Sequence, residues 1–137
     1  MATKKDPQMN ETTRVLLVDD FRAFRDSVRS LIEESPGYEV VGEAEDGLTA
    51  TQLAETLRPD VVLMDVNISR LDGVTATRQI KALLPETSII GISAAPTPYA
   101  REEMLKAGAR GFVQKEQIPD ELLAAIEQAI RDRVLHL

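Results

Sequence analysis

Four hydrophobic runs in this sequence each stop at a side chain that can bind a metal ion or a phosphate group. The acidic pair Asp19 and Asp20 follows the first run, Asp65 the second, Ser93 the third and Lys115 the fourth. If the runs are parallel strands, their carboxyl ends lie at one edge of a sheet, where open α/β folds bind ligands. The pattern predicts one shallow site that combines carboxylates, a hydroxyl and an ammonium group.

The charges of this predicted site indicate its chemistry. Three carboxylates in a partly desolvated cleft repel one another, so they need a cation or shifted pKa values to stay ionised. The sequence has no cysteine and its single histidine, His136, is next to the C-terminus, so the donors are hard oxygen atoms that favour Mg²⁺ or Mn²⁺ over zinc. A carboxylate beside such an ion can attack phosphorus, which predicts an aspartyl phosphate at Asp65. Ser93, Lys115 and the metal would each stabilise one phosphoryl oxygen.

Each of these residues also has a simpler explanation. Asp19 and Asp20 could cap the first helix, since aspartate is a good N-cap residue. Asp65 could be an ordinary loop residue, Ser93 one of the serines that are common at strand ends, and Lys115 a solvated surface charge. The site is favoured because several independent strands place complementary groups at one predicted edge.

The elements that would position these groups alternate regularly along the chain. The predicted strands are Arg14–Val18, Tyr38–Val41, Val61–Met64, Ser88–Ser93 and Gly111–Gln114. Amphipathic segments with short connections separate them, which implies right-handed βαβ units and a parallel sheet. We therefore predict an α/β fold with a doubly wound five-stranded parallel sheet of order 2-1-3-4-5, in which strands 1 and 3 meet at the switch point.

Details of three helices follow from helix start signals and apolar spacing. Asp20 occupies the predicted N-cap of the first helix. The second helix opens at Asp46 and Gly47, and Leu48 is predicted to be one of its inward-facing residues. The final helix begins near Pro119 and is amphipathic.

Size and charge exclude several classes of function. The 137 residues suffice for one domain, predicted over residues 14–137, after a polar, flexible N-terminal tail at residues 1–13. The net charge of −7 gives no overall positive field, which argues against direct nucleic-acid binding and against an anionic membrane surface. The sequence shows neither the apolar core of a signal peptide nor a run of transmembrane length, so the expected location is cytoplasmic.

The motifs taken jointly resemble the receiver domain of two-component response regulators, the CheY-like family, over about Arg14 to Val134. The matching segments are VLLVDD at Val15–Asp20, VVLMD at Val61–Asp65, Asp72-Gly73, Ile92–Ala94, and KAGARGFVQK at Lys106–Lys115. The phrases EVVGEAEDG and GARGFVQKE are most similar to the subfamily whose receivers precede a helix-turn-helix output domain. The resemblance implies a flavodoxin/CheY-like (βα)5 fold.

The resemblance also implies a role for each candidate residue. Asp65 is the phosphoacceptor; Asp19, Asp20, Asp65 and the backbone carbonyl of Asn67 hold Mg²⁺; Ser93 is the switch hydroxyl, Lys115 the phosphate-binding lysine and Phe112 the switch aromatic. The implied partner is a sensor histidine kinase or phosphotransfer protein, and an output domain or a second copy of the chain would read the switch. Such a protein is a signalling switch and not an enzyme, since it catalyses only its own phosphotransfer and slow autodephosphorylation.

Departures from the family pattern leave alternatives open. Ile68-Ser69 stands where the family usually has Met-Pro, so a fixed φ is lost and a backbone N–H is gained. One alternative is therefore a receiver-like interaction module that signals without phosphorylation. Another, an Asp-nucleophile phosphatase, is disfavoured because such enzymes place a second Asp as general acid where this chain has Asn67. Phe112 could also be ordinary core, and the chain could be a stand-alone receiver or one domain of a longer protein.

Overall fold

The computed structural model describes residues 12–95 and 97–135, without the side chains of Val134 and Leu135. The flexible tail predicted for residues 1–13 therefore lies outside the described residues, apart from Thr12 and Thr13. Thr13 is the first residue of a strand, one position before the predicted start. Its N–H donates to the Gly37 carbonyl at 2.8 Å, which extends the pairing to this residue.

Five strands and five α-helices alternate along the described chain. The strands are β1 (Thr13–Val18), β2 (Tyr38–Ala44), β3 (Val61–Asp65), β4 (Ser88–Ser93) and β5 (Gly111–Gln114). The helices are α1 (Arg22–Glu33), α2 (Gly47–Leu57), α3 (Gly73–Leu83), α4 (Pro98–Ala107) and α5 (Ile118–Leu135), and a 3₁₀ turn at Lys115–Gln117 precedes α5. All strands pair in parallel in the order β2-β1-β3-β4-β5, which confirms the predicted fold.

Helices cover both faces of the sheet, because the strands carry apolar residues on both sides. Leu16 and Met64 belong to the core cluster that includes residues of α2, α3 and α4. Their neighbours Leu17 and Leu63 belong to the opposite cluster, which includes residues of α1 and α5. The alternation that places successive residues on opposite faces thus builds two cores and fixes the sheet between them.

The strand β2 is longer than predicted. Its pairing with β1 skips Val41, so Val15 faces Val40 while Leu16 faces Gly42. This irregularity lets β2 continue to Ala44 beside the end of β1. The extension matters for the site, because the Asp19 N–H donates to the Ala44 carbonyl at 3.0 Å.

Two helix details predicted from the sequence are wrong. Phe21, not Asp20, is the N-cap residue of α1, and no side-chain hydrogen bond caps this helix. Leu48 is 40% exposed, because α2 turns Gly47, Ala50 and Ala54 toward the core instead. The first of these corrections removes helix capping as an explanation of the acidic pair.

The last helix is amphipathic, as the sequence predicts. Leu122 and Ile126 are fully buried against the sheet, whereas Leu123 and Ile130 are partly buried at the margin of the same core. Within the described residues, no helix combines the length and the apolar character needed to cross a membrane.

Candidate functional site

Three carboxylates converge at the carboxyl edge of the sheet. Asp19, Asp20 and Asp65 each offer an oxygen atom, and these atoms lie within 4.8 Å of one another. The pairing of Val18 with Met64 brings the ends of β1 and β3 side by side, so the predicted convergence follows from the strand order. Oxygen atoms this close can contact one common cation.

The three acids differ in exposure. Asp19 and Asp65 are only 2% and 4% exposed, whereas Asp20 is exposed. The cleft therefore has a buried floor and one rim carboxylate in contact with solvent. Asp20 is thus the member of the cluster that is open to solvent.

Backbone N–H groups hold one oxygen of each buried carboxylate. The Phe21 N–H donates to Asp19 Oδ1 at 2.8 Å, and the Asn67 N–H donates to Asp65 Oδ1 at 3.0 Å. Both bonds span two residues, so they arise from the loops directly after β1 and β3. The carboxylates are thus oriented by local backbone geometry before any ligand binds.

The ammonium of Lys115, the first residue of the 3₁₀ turn directly after β5, enters this cluster. Lys115 Nζ lies 2.6 Å from Asp19 Oδ2 and 3.6 Å from Asp65 Oδ2. The same ammonium lies 4.3 Å from the centroid of the Phe24 ring on α1, a cation–π distance. Three carboxylates and one ammonium leave two net negative charges, the charge that one divalent cation would neutralise.

The pKa values reflect this crowding. Burial raises the pKa of Asp65 to about 6, and the charge of Asp19 adds to the increase, although the Asn67 N–H and Lys115 oppose it. Burial alone would lower the pKa of Lys115, but its interactions with Asp19 and Asp65 outweigh this and raise it. Lys115 is therefore a permanent cation at neutral pH, whereas Asp65 loses its proton only near pH 6.

This raised pKa predicts a pH-dependent stability. The folded protein holds the Asp65 proton more tightly than the unfolded chain does, so stability is lost as pH rises from about 4 through about 6. Without Mg²⁺, Asp65→Asn should increase the free energy of unfolding at pH 7.5 by on the order of 2 kcal/mol and change it little at pH 4. Urea unfolding at both pH values measures the difference. An equal effect at the two pH values would contradict the assignment.

Ser93 and Phe112 lie on the strands beyond the acidic cluster. Ser93 ends β4, and its buried Oγ has no hydrogen-bond partner among the described residues. Phe112 on β5 is half-buried and packs over Gly91, where a Cβ would collide with its ring. The Arg101 guanidinium lies over the same ring, 5.9 Å from its centroid. The ring is therefore part of the α4 side of the core and is not among the charged groups.

The loop after Asp65 is held without the Met-Pro pair of the family. Ile68 is buried in the core, and Ser69 forms a bridge with Asp46, with the Gly47 N–H donating to the Ser69 carbonyl at 3.2 Å. Arg70 adds an ion pair with Asp46 at 3.2 Å. The loop is thus held by contacts with the segment before α2. Asn67, by contrast, is exposed.

Sequence reasoning missed an ion-pair network behind the acidic pair. Arg25 Nη1 donates to the Asp19 carbonyl at 2.7 Å, and its Nε donates to Glu43 Oε1 at 2.7 Å. Arg29 binds the other oxygen of Glu43 at 2.8 Å. Arg25 and Arg29 are four residues apart on α1, but Glu43 lies on β2. The spacing of residues along the sequence therefore does not predict that the two arginines bind Glu43.

Comparison with known proteins identifies one family. The family model of the response regulator receiver domain matches residues 15–127 of this chain. The chain is 35% identical over 121 residues to the transcriptional regulatory protein DegU of Brevibacillus brevis, an alignment that covers 88% of this chain and 51% of DegU. The chain thus spans about half the length of this relative.

Solved structures give the same family. A LuxR-family two-component response regulator from Aurantimonas sp. SI85-9A1 superposes with a TM-score of 0.84 at 36% identity, covering 90% of this chain and 88% of that one. The receiver domain of the sensor histidine kinase PA1611 from Pseudomonas aeruginosa PAO1 has a TM-score of 0.78 at 30% identity, covering 88% and 98%. That structure has a magnesium ion coordinated in its active site cleft.

Proposed function

This chain belongs to the response regulator receiver domain family of two-component systems, and on that premise we propose that Asp65 is its phosphoacceptor. The phosphoryl group would come from the phosphohistidine of a sensor histidine kinase or phosphotransfer protein. The observation that carries the proposal is the convergence of Asp19, Asp20 and Asp65 with the Lys115 ammonium in one cleft. The product would be a mixed anhydride that changes the charge of the cleft and hence the surface the domain presents.

Mg²⁺ fits the donor set of this cleft, and Mn²⁺ would also fit. Asp19, Asp20 and Asp65 would hold the ion together with the Asn67 carbonyl, all hard oxygen donors. The bound ion would neutralise phosphoryl charge. The magnesium ion in the related PA1611 receiver supports this assignment.

The chain's own residues account for the transfer step. An Asp65 carboxylate oxygen forms the new P–O bond as the P–N bond to the donor histidine breaks, and the bond's electron pair leaves with the imidazole. The Asn67 N–H holds Asp65 Oδ1, which leaves Oδ2 as the attacking atom. Lys115, now 3.6 Å from Oδ2, would bind one phosphoryl oxygen, and the Ser93 hydroxyl another.

The proposed conformational switch begins at the Ser93 hydroxyl, which is buried without a hydrogen-bond partner among the described residues. Ser93 Oγ gains a hydrogen-bond partner when a phosphoryl oxygen arrives, so it would move toward Asp65. The room it leaves would let Phe112, already seated over Gly91, pack further inward. The partner surface formed by α4, β5 and α5 would then repack, and an output domain or a second copy of the chain would read the change.

We infer a cytoplasmic location and a non-enzymatic role from the proposed phosphotransfer. A cytoplasmic domain would meet the kinase that phosphorylates it. The domain would act as a switch that catalyses its own phosphotransfer and slow autodephosphorylation and has no separate substrate. The net charge of −7 makes a protein surface a better partner than nucleic acid or an anionic membrane.

Incubation with acetyl phosphate tests the function directly. In Mg²⁺ the intact protein should gain the mass of one phosphoryl group, and chelation of the metal or Asp65→Asn should abolish the gain. A phosphorylation-independent module would gain no mass in Mg²⁺, which would contradict the proposal. A gain that persists in Asp65→Asn would contradict the choice of acceptor.

A further inference from the structure

Arg25 is a buried arginine that touches the backbone of the acidic pair. It lies in α1 and is 9% exposed. Its guanidinium donates in two directions, with Nη1 to the Asp19 carbonyl and Nε to Glu43 Oε1, each at 2.7 Å. The fixed fork of the guanidinium allows one side chain to hold both partners at once.

A buried charge of this kind is costly unless it is paired and hydrogen-bonded. Glu43 supplies the counter-charge: burial would raise the pKa of its carboxyl, but hydrogen bonds from Arg25 and Arg29 lower it. The ion pair therefore stays charged at neutral pH. An apolar residue in this position would avoid the desolvation cost. What an apolar residue could not provide is the hydrogen bond to the Asp19 carbonyl.

Three contacts together immobilise Asp19 at the end of β1. Arg25 holds its carbonyl, the Phe21 N–H holds Oδ1 and Lys115 lies against Oδ2. Only the first of these acts on the peptide plane between Asp19 and Asp20. This plane also carries the Asp20 N–H, so holding it restricts the position of Asp20, the exposed member of the cluster.

We propose that Arg25 is a positioning residue that keeps the acidic pair preformed for a divalent cation. The inference rests on the proposed function of the cleft. Arg25 would not touch the ion or the phosphoryl group. It would act by holding the Asp19 carbonyl, while Glu43 keeps the guanidinium in place from β2. Residues that orient metal ligands in this way typically affect metal affinity by about tenfold to a hundredfold.

Arg29 provides a matched control on the same helix. It lies one turn after Arg25, shares Glu43 through Oε2 at 2.8 Å, and directs Nη1 to Glu33 at 2.8 Å. Arg25→Gln and Arg29→Gln both remove one bond to Glu43 and one positive charge. Only the former releases the Asp19 carbonyl, so a comparison of the two separates positioning from general support of the network.

Isothermal titration with Mg²⁺ is the primary measurement, with urea unfolding to compare stability. Arg25→Gln should raise the Kd for Mg²⁺ about tenfold, whereas Arg29→Gln should stay within about twofold of wild type. With acetyl phosphate, the Arg25→Gln variant should need more Mg²⁺ for half-maximal phosphorylation but approach the wild-type rate at saturation. Loss of stability alone would not move this Mg²⁺ midpoint.

The outcomes separate the two proposals. A wild-type protein that binds no Mg²⁺ would contradict the proposed function. If the wild type binds but Arg25→Gln has unchanged affinity, or both variants lose affinity equally, the positioning role is wrong. Should Arg25→Gln fail to fold, Arg25→Lys keeps the charge beside Glu43 but lacks the fork. It should show the same weakened Mg²⁺ binding, and wild-type affinity in that variant would overturn the inference.

Discussion

Asp19→Asn is expected to weaken Mg²⁺ binding by about tenfold to a hundredfold, because it removes one of three negative charges that converge within 4.8 Å. The substitution is sterically conservative. The asparagine oxygen can still accept the Phe21 N–H bond that now goes to Asp19 Oδ1. The ion pair of Asp19 Oδ2 with Lys115 is lost together with the charge, but the bond that holds the backbone after β1 is kept. The loss of affinity should therefore report the charge of the cleft and not a displaced loop. Titration calorimetry at pH 7.5 measures the effect.

Asp26→Asn is the matched control for this prediction. Asp26 is also an aspartate near the start of α1, but its side chain is 63% exposed and its ion-pair distance to Arg22 is 4.0 Å. Removing this charge alters the net charge equally and should leave Mg²⁺ affinity within about twofold of wild type, because a solvated charge outside the cleft is largely screened. Equal weakening by both substitutions would mean that overall charge, and not the cleft, determines binding.

Lys115→Met should separate metal binding from phosphorylation. The ammonium lies 2.6 Å from Asp19 and 3.6 Å from Asp65, where it competes with any metal cation for these carboxylates. Without it, Mg²⁺ affinity should be unchanged or tighter. The rate of phosphorylation by acetyl phosphate should nevertheless fall about a hundredfold, the usual cost of losing one group that stabilises transition-state charge. Stopped time courses followed by intact-mass analysis measure the rate.

The control for this variant is Lys106→Met on α4. Lys106 has a side chain that is 67% exposed and pairs with Glu102 and Glu103 of its own helix. It should phosphorylate at the wild-type rate. If Lys115→Met weakens Mg²⁺ binding as strongly as it slows phosphorylation, the lysine supports the structure of the cleft and has no separate role toward the phosphoryl group.

The sequence was sufficient for the acidic cleft because strand order determines it. Apolar runs that end in Asp19 and Asp65 predict two buried parallel strands, and the 2-1-3-4-5 order makes those strands neighbours. Asp19 and Asp65, at the carboxyl ends of these neighbouring strands, therefore lie side by side at the sheet edge. Lys115 follows by the same logic from the end of β5. The structure thus brings these predicted groups together, while their roles stay predictions that the experiments above test.

What the sequence did not reveal depends on contacts between distant segments. Arg25 binds Glu43 across the gap between α1 and β2, and Asp46 bridges to Ser69, so neither contact has a local pattern. The error at Asp20 has a different cause. Aspartate there has good capping propensity, but the chain continues extended through Phe21, so Phe21 and not Asp20 takes the N-cap position. Such a departure from local preference is expected where residues serve a site.

The loop after Asp65 is likewise held by contacts that have no local sequence pattern. Ile68-Ser69 departs from the family pattern, and this departure left open a module that signals without phosphorylation. Burial of Ile68 and the Ser69 bridge hold the loop through contacts that only the folded chain shows. Because the loop is restrained without proline, the missing Met-Pro pair is by itself no argument for the phosphorylation-independent module.

The most direct test of the central claim is to identify the residue that carries the phosphoryl group. The protein is treated with acetyl phosphate and Mg²⁺, reduced with borohydride, which converts an aspartyl phosphate to homoserine, and mapped by peptide mass spectrometry. We predict homoserine at position 65 alone, and none when Mg²⁺ is omitted. Homoserine at position 19 or 20, or phosphate retained on a serine or threonine, would contradict the account.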